Sequence, residues 1–194
     1  MPEYIQWIST LLLVITSFGI LVDLEWKNNS ALMALQYFAT FFLLMVFWPI
    51  NMSGSFLIAG WVSVLIIVMT NQNIKRTDGP NINTFSLEKL FRLFTGGLVL
   101  LIIITSYSNI SNWFPSATPP LLISSLNLIF VGFLMIGMSQ KIDRVIFGLL
   151  TIMTGFEIAF TQVDNSVLML ALLCLILMSI SLVGSFLMNN AEGK

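Results

Sequence analysis

Val167-Leu168-Met169-Leu170-Ala171-Leu172-Leu173-Cys174-Leu175-Ile176-Leu177-Met178-Ser179-Ile180-Ser181-Leu182-Val183-Gly184-Ser185-Phe186-Leu187-Met188 carries no charged residue from end to end. As a helix rising ~1.5 Å per residue, it is long enough to cross the ~30 Å hydrocarbon core of a bilayer. Six more apolar segments precede it, near 4–23, 30–50, 52–72, 89–109, 120–139 and 144–163, with this last one spanning 166–189. Of 194 residues, 57% are hydrophobic and 9% charged, against roughly 25% charged in an ordinary soluble domain. The reading is an all-α, polytopic transmembrane bundle of seven helices. Tight polar turns are expected at Trp48-Pro49-Ile50-Asn51-Met52-Ser53-Gly54-Ser55 and at Val163-Asp164-Asn165-Ser166, where apolar periodicity is interrupted.

The basic residues orient the bundle, because cytoplasmic loops collect Lys and Arg. With seven spans and the N-terminus outside, Lys27 falls in the first inner loop, Lys75, Arg76, Lys89 and Arg92 in the second, Lys141 and Arg144 in the third, and Lys194 in the tail. An even number of spans would put some of them on the wrong face. Tyr4, Trp7, Trp48, Tyr107 and Trp113 then form an outer aromatic belt, with Trp26 at the inner interface. Met1-Pro2-Glu3-Tyr4 has no positive charge ahead of the first apolar run, so that run reads as a helix and not as a cleaved signal peptide.

The segment 111–119 separates a four-helix region, 1–110, from a three-helix region, 120–194. An offset of 114 pairs Lys27 with Lys141, Thr40 with Thr154, Phe42 with Phe156 and Asn51 with Asn165; a duplicated three-helix unit is allowed, on the matching span lengths, loop lengths and orientation of helices one to three and five to seven more than on these residues. The long inner loop from Asn71 to Glu88 reads either as a connector or as a docking surface, the connector being the usual role.

Several chemistries are excluded. Histidine is absent and Cys174 is the sole cysteine, so no His or Cys metal site, His-ligated haem or internal disulfide can form. No cofactor is expected. A net charge of −1 offers nothing to nucleic acid, and no phosphate-binding Gly-x-x-x-x-Gly-Lys run occurs. The expected partners are lipids and other membrane subunits.

One residue stands out. Eight of the nine acids lie in loops, tails or span ends, whereas Glu157 sits inside the sixth helix in Gly155-Phe156-Glu157-Ile158-Ala159-Phe160, about 10 Å from Asp164 along the axis. A charged carboxylate there costs ~3 kcal/mol or more, which is why such residues face a bundle interior or a hydrated cavity. Positions three and four apart share a helix face, so Thr151, Thr154, Glu157, Thr161 and Asp164 form one polar stripe. Gly148, Gly155 and Ala159 offer small surfaces for neighbouring helices. On the fifth helix Asn127, on one face with Ser124, falls near the depth of Glu157, so a Glu157–Asn127 hydrogen bond is geometrically allowed.

Two readings follow. In one, the stripe is a proton or sodium site with a polar track to the outer surface; in the other, a permanently protonated Glu157 ties helices together. Gln36, Tyr37, Thr40, Trp61 and Ser63 read as packing and interhelical hydrogen bonding, and Cys174 as a small apolar residue.

The last three helices resemble the K subunit of NADH:quinone oxidoreductase and its relatives in cation/proton antiporter complexes. The resemblance rests on the short basic inner loop Ser139-Gln140-Lys141-Ile142-Asp143-Arg144 and on an acid following glycine in Gly155-Phe156-Glu157. Over its full length the chain looks most like component E of hydrogenase-4, with Ser139-Gln140-Lys141 and Ile146-Phe147-Gly148 similar to its inner-loop region. The resemblance implies a non-catalytic subunit of a proton- or sodium-translocating respiratory or hydrogenase-type complex in a prokaryotic cytoplasmic membrane. The alternative is a structural or assembly subunit of a respiratory or photosynthetic complex. Two departures matter: the acid lies about one turn further from the inner loop than the family pattern puts it, and the seventh helix lacks the family's second acid. Only Glu157 carries over.

Overall fold

Pro49 and Pro119 show how local chemistry sets the helix ends. Pro49 lacks an amide donor, and its carbonyl accepts from Met52 and Ser53 N–H, so a helix begins immediately after it. Pro119 and Pro120 occupy the first turn of another helix, where the missing N–H costs nothing. A computed structural model describes residues 3–22, 25–73, 87–111, 118–139, 141–163 and 166–191. Its elements are α1 (Glu3–Val22), α2 (Trp26–Leu44), α3 (Ile50–Asn73), α4 (Leu87–Ser111), α5 (Pro119–Gly137), α6 (Ile142–Phe160) and α7 (Val167–Ala191). The described residues form no strand.

Five of these helices, α1, α3, α4, α5 and α7, are long and apolar enough to cross a membrane. The other two carry more polarity: α2 contains Lys27, Asn28, Asn29 and Gln36, and α6 contains Asp143, Arg144 and Glu157. Both are the middle helices of the bundle, facing protein on several sides, where polar side chains are best tolerated.

Helices α1, α2 and α3 pack side by side as one layer, and α5, α6 and α7 as a second. Across the seam α1 meets α5, α2 meets α6 and α3 meets α7, while α4 lies outside, against α1 and α5. The side chains that touch across the seam keep a nearly constant separation in sequence: 110 for Asn127–Ser17, 114 for Ser124–Thr10, 115 for Thr70–Ser185 and 118 for Thr151–Met33. The two layers are therefore stacked in parallel, helix on matching helix, at the spacing that pairs Thr40 with Thr154 in sequence. The region 1–110 is not a single layer, since α4 bridges both.

The tightest packing joins α5 and α6. A Cβ on Gly132 would lie 2.8 Å from the Gly148 carbonyl oxygen, and one on Gly155 2.8 Å from the Ser125 carbonyl oxygen. Backbone approaches backbone there, as small residues permit between membrane helices.

Three expectations change. The second helix ends at Leu44, well short of residue 50, because Met45–Phe47 already form turns ahead of Pro49. Asn51–Ser55, expected as a turn, is the first part of α3. Trp48, placed in the outer aromatic belt by its position, is only 4% exposed and belongs to the core, because the turn folds it inward. Trp113 and the loop 74–86 lie outside the described residues.

Candidate functional site

Glu157 lies in the last turn of α6, and its face is set by the glycine packing on the other side. Gly155 presses on Ser125 and Ile129 of α5, so Glu157, two residues on and about 200° around the helix, turns away from α5. It is 1% exposed, and neither carboxyl oxygen has a hydrogen-bond partner. Thr151, Thr154 and Thr161 of the same stripe are also buried. Their hydroxyls donate to carbonyls of their own helix: Thr151 to Phe147 at 2.8 Å, Thr154 to Leu150 at 2.8 Å and Thr161 to Glu157 at 2.7 Å. Each threonine thus keeps acceptor capacity on its oxygen while its proton is engaged. Asp164 lies outside the described residues.

Asn127 is level with this site but looks elsewhere. Its amide nitrogen donates to Ser17 Oγ at 2.9 Å, so the hydrogen bond to Glu157 that the depth allows is not formed. The physical reason is the azimuth of α5, which aims Ser124 and Asn127 together at α1. With them runs a ladder across the α1–α5 seam: Thr118 donates to Gln6 Oε1 at 3.2 Å, and Ser124 to Thr10 Oγ1 at 2.9 Å.

One neighbour of Glu157 comes from α7. The Cys174 thiol of α7 lies within electrostatic reach of both Glu157 and Tyr37. The fully buried Tyr37 hydroxyl reaches toward Thr154 without completing a hydrogen bond. Gln36 is also fully buried, with neither side-chain amide atom partnered. Trp61 ties α3 to α2 by donating Nε1–H to the Ala34 carbonyl at 3.2 Å, whereas the Thr40 hydroxyl donates to the Gln36 carbonyl of its own helix at 2.9 Å. Buried polar atoms are nearly always paired, so the unpartnered oxygens of Glu157 on α6 and of Tyr37 and Gln36 on α2 mark these two middle helices as carrying polar groups whose hydrogen bonds are not closed.

A second polar feature escaped the sequence. Arg92 of α4 and Arg144 of α6 are 3% and 2% exposed, and both donate to the Leu21 carbonyl, at 3.5 and 3.4 Å. Arg92 also donates to the Met138 carbonyl at 3.3 Å and pairs with Glu88 at 2.7 Å. Guanidinium groups are thus laid against the C-terminal ends of α1 and α5, where the helix dipole favours a cation. In the sequence these residues serve only as orientation markers; their burial depends on three helices meeting. No protein family, curated protein or solved structure matches this chain.

Proposed function

We propose that this protein is a non-catalytic integral membrane subunit of a multi-subunit complex, of the respiratory or hydrogenase type, that moves protons or sodium ions, with Glu157 as its protonatable group. The observation that carries the reading is a buried carboxyl with both oxygens unpartnered and the Cys174 thiol within electrostatic reach. A structural carboxyl would be expected to have its hydrogen bonds made, since an unmet buried polar group costs about 1–3 kcal/mol. The orientation that goes with the reading, N-terminus outside and C-terminus in the cytoplasm, is supported by the basic residues. Lys27, Lys89, Arg92, Lys141 and Arg144 all stand at the same end of the bundle, at or just before the starts of α2, α4 and α6.

A second reading, an assembly subunit without ion transport, is favoured by one observation: the hydroxyl protons of Thr151, Thr154 and Thr161 are all committed to their own helix, and Asn127 is committed to Ser17. The experiment that tests the proposal is purification of the tagged chain in mild detergent, followed by reconstitution of whatever co-purifies. The proposal expects membrane subunits that together drive ion movement into or out of vesicles. A chain recovered only as a monomer or homo-oligomer would overturn it.

A further inference from the structure

The last turns of α3 and α7 enclose a groove of about 380 Å³, apart from Glu157, lined by Met69, Thr70, Leu182, Ser185, Phe186 and Asn189. Its α7 residues lie three, four and seven apart, so they share one helix face. Its floor is a formed contact between the two helices, Thr70 Oγ1 against Ser185 Oγ. The Thr70 hydroxyl donates to the Ile66 carbonyl at 2.8 Å, which leaves Ser185 to donate to Thr70 and to keep a lone pair open to the groove. Asn189 is exposed and forms no hydrogen bond among the described residues, so its amide N–H groups are open to whatever enters. The walls are apolar and face outward: Met69 is 64% exposed, Leu182 58% and Phe186 65%. No lining residue carries a charge.

Depth decides what fits. Helices α3 and α7 end at the level where α2 and α6 begin, the cytoplasmic end in the orientation given above. With each helix centred in the bilayer, Thr70 lies about 13 Å, Ser185 about 9 Å and Asn189 about 15 Å from the midplane at 1.5 Å per residue. The hydrocarbon core reaches ~15 Å to either side, so the polar floor spans the level at which a phospholipid's acyl chains give way to its glycerol esters. An ester carbonyl accepts a hydrogen bond and has none to give, which the Asn189 N–H groups match. Acyl chains match Met69, Leu182 and Phe186. We propose that this groove is a phospholipid site of the cytoplasmic leaflet, holding the glycerol-ester region on Asn189 and one acyl chain against Leu182 and Phe186. The ester is what is read, because the lining offers no charge to a headgroup.

The test labels membranes that hold the intact complex with photoactivatable phosphatidylethanolamine or phosphatidylglycerol, each with a diazirine near the carboxyl end of one acyl chain. Labelled residues are mapped by mass spectrometry. Val183 and Leu187 are the internal reference, at the same depth of α7 and 59% and 49% exposed, but outside the groove. With both lipids, label on Met69, Leu182 and Phe186 should exceed label on the reference about fivefold, the ratio that one hydrogen bond confers. Asn189→Leu should remove that excess, and Asn189→Gln, which keeps the amide, should retain it. The Thr70–Ser185 contact is untouched in either variant. Equal label inside and outside the groove, or an excess that survives Asn189→Leu, overturns the site. So does an excess confined to phosphatidylglycerol, since headgroup charge and not the ester would then be read. A groove unlabelled in the complex but labelled on the purified chain in vesicles of the same lipids also overturns it, and makes the seam a contact with another subunit.

Discussion

Gly155 offers the most direct check on the packing that turns Glu157 away from α5. A methyl added there would place Cβ 2.8 Å from the Ser125 carbonyl oxygen and 2.9 Å from the Ile129 backbone nitrogen. Both obstacles are backbone, so relief requires α5 to withdraw by about half an ångström along a seam already closed by Gly132 and Gly148. Overpacking of that kind costs about 1–3 kcal/mol, offset in part by the ~0.5–1 kcal/mol of helix propensity that Ala gains over Gly. Gly155→Ala should therefore lose up to about 2.5 kcal/mol net. Gly97 is the matched control: nothing lies within 4 Å of its added Cβ, so Gly97→Ala keeps the propensity gain of up to ~1 kcal/mol and should be neutral or slightly more stable. Unfolding in mixed micelles with increasing dodecyl sulfate, followed by circular dichroism, gives both values. If Gly155→Ala proves as stable as Gly97→Ala, α5 and α6 are not in backbone contact and the aim of Glu157 has another cause.

Arg92→Ala should lower stability by about 1.5–3 kcal/mol, because hydrogen bonds from a buried cation to the Leu21 and Met138 carbonyls are lost; the same unfolding assay reads it. Glu88→Gln, at the exposed side of the same ion pair, should cost less than about 1 kcal/mol, and a larger loss would mean that the pair, not the carbonyls, holds α4. Ser124→Ala should cost about 0.6 kcal/mol, the usual value of an interhelical hydrogen bond in a membrane, and a loss above ~2 kcal/mol would show the α1–α5 ladder to be a cooperative network. For orientation, in a chain carrying Cys174→Ala, a cysteine at Ser111 should react with an impermeant reagent from outside and one at Lys141 only from the cytoplasmic side. The reverse pattern would reject the topology.

The helices were legible because hydropathy and length report lipid exposure directly, and the sixth helix showed its buried face because Thr151, Thr154, Glu157 and Thr161 repeat at three and four. What periodicity within one helix cannot give is the azimuth of its neighbour. Asn127 has the depth of Glu157, yet the rotation of α5 sends it to Ser17. Tyr37 reads as packing and interhelical hydrogen bonding; its ring does pack, against Phe56 and over Gly60, while its hydroxyl completes no hydrogen bond. Arg92 and Arg144 carry the charge expected at a cytoplasmic end, and nothing in their spacing reveals that both close on the Leu21 carbonyl. The end of α2 was read too late because the apolar count runs through Phe47 and Trp48, whereas Pro49 and the turn before it decide where the helix stops.

Ion movement by Glu157→Gln in vesicles containing the purified complex tests the central claim most directly. Gln keeps the volume and one carbonyl of Glu while removing the proton that titrates, so the complex should assemble normally. If Glu157 is the protonatable group, ion movement in that assembled complex should fall at least about tenfold. Wild-type ion movement would contradict it and leave Glu157 as a neutral tie between helices.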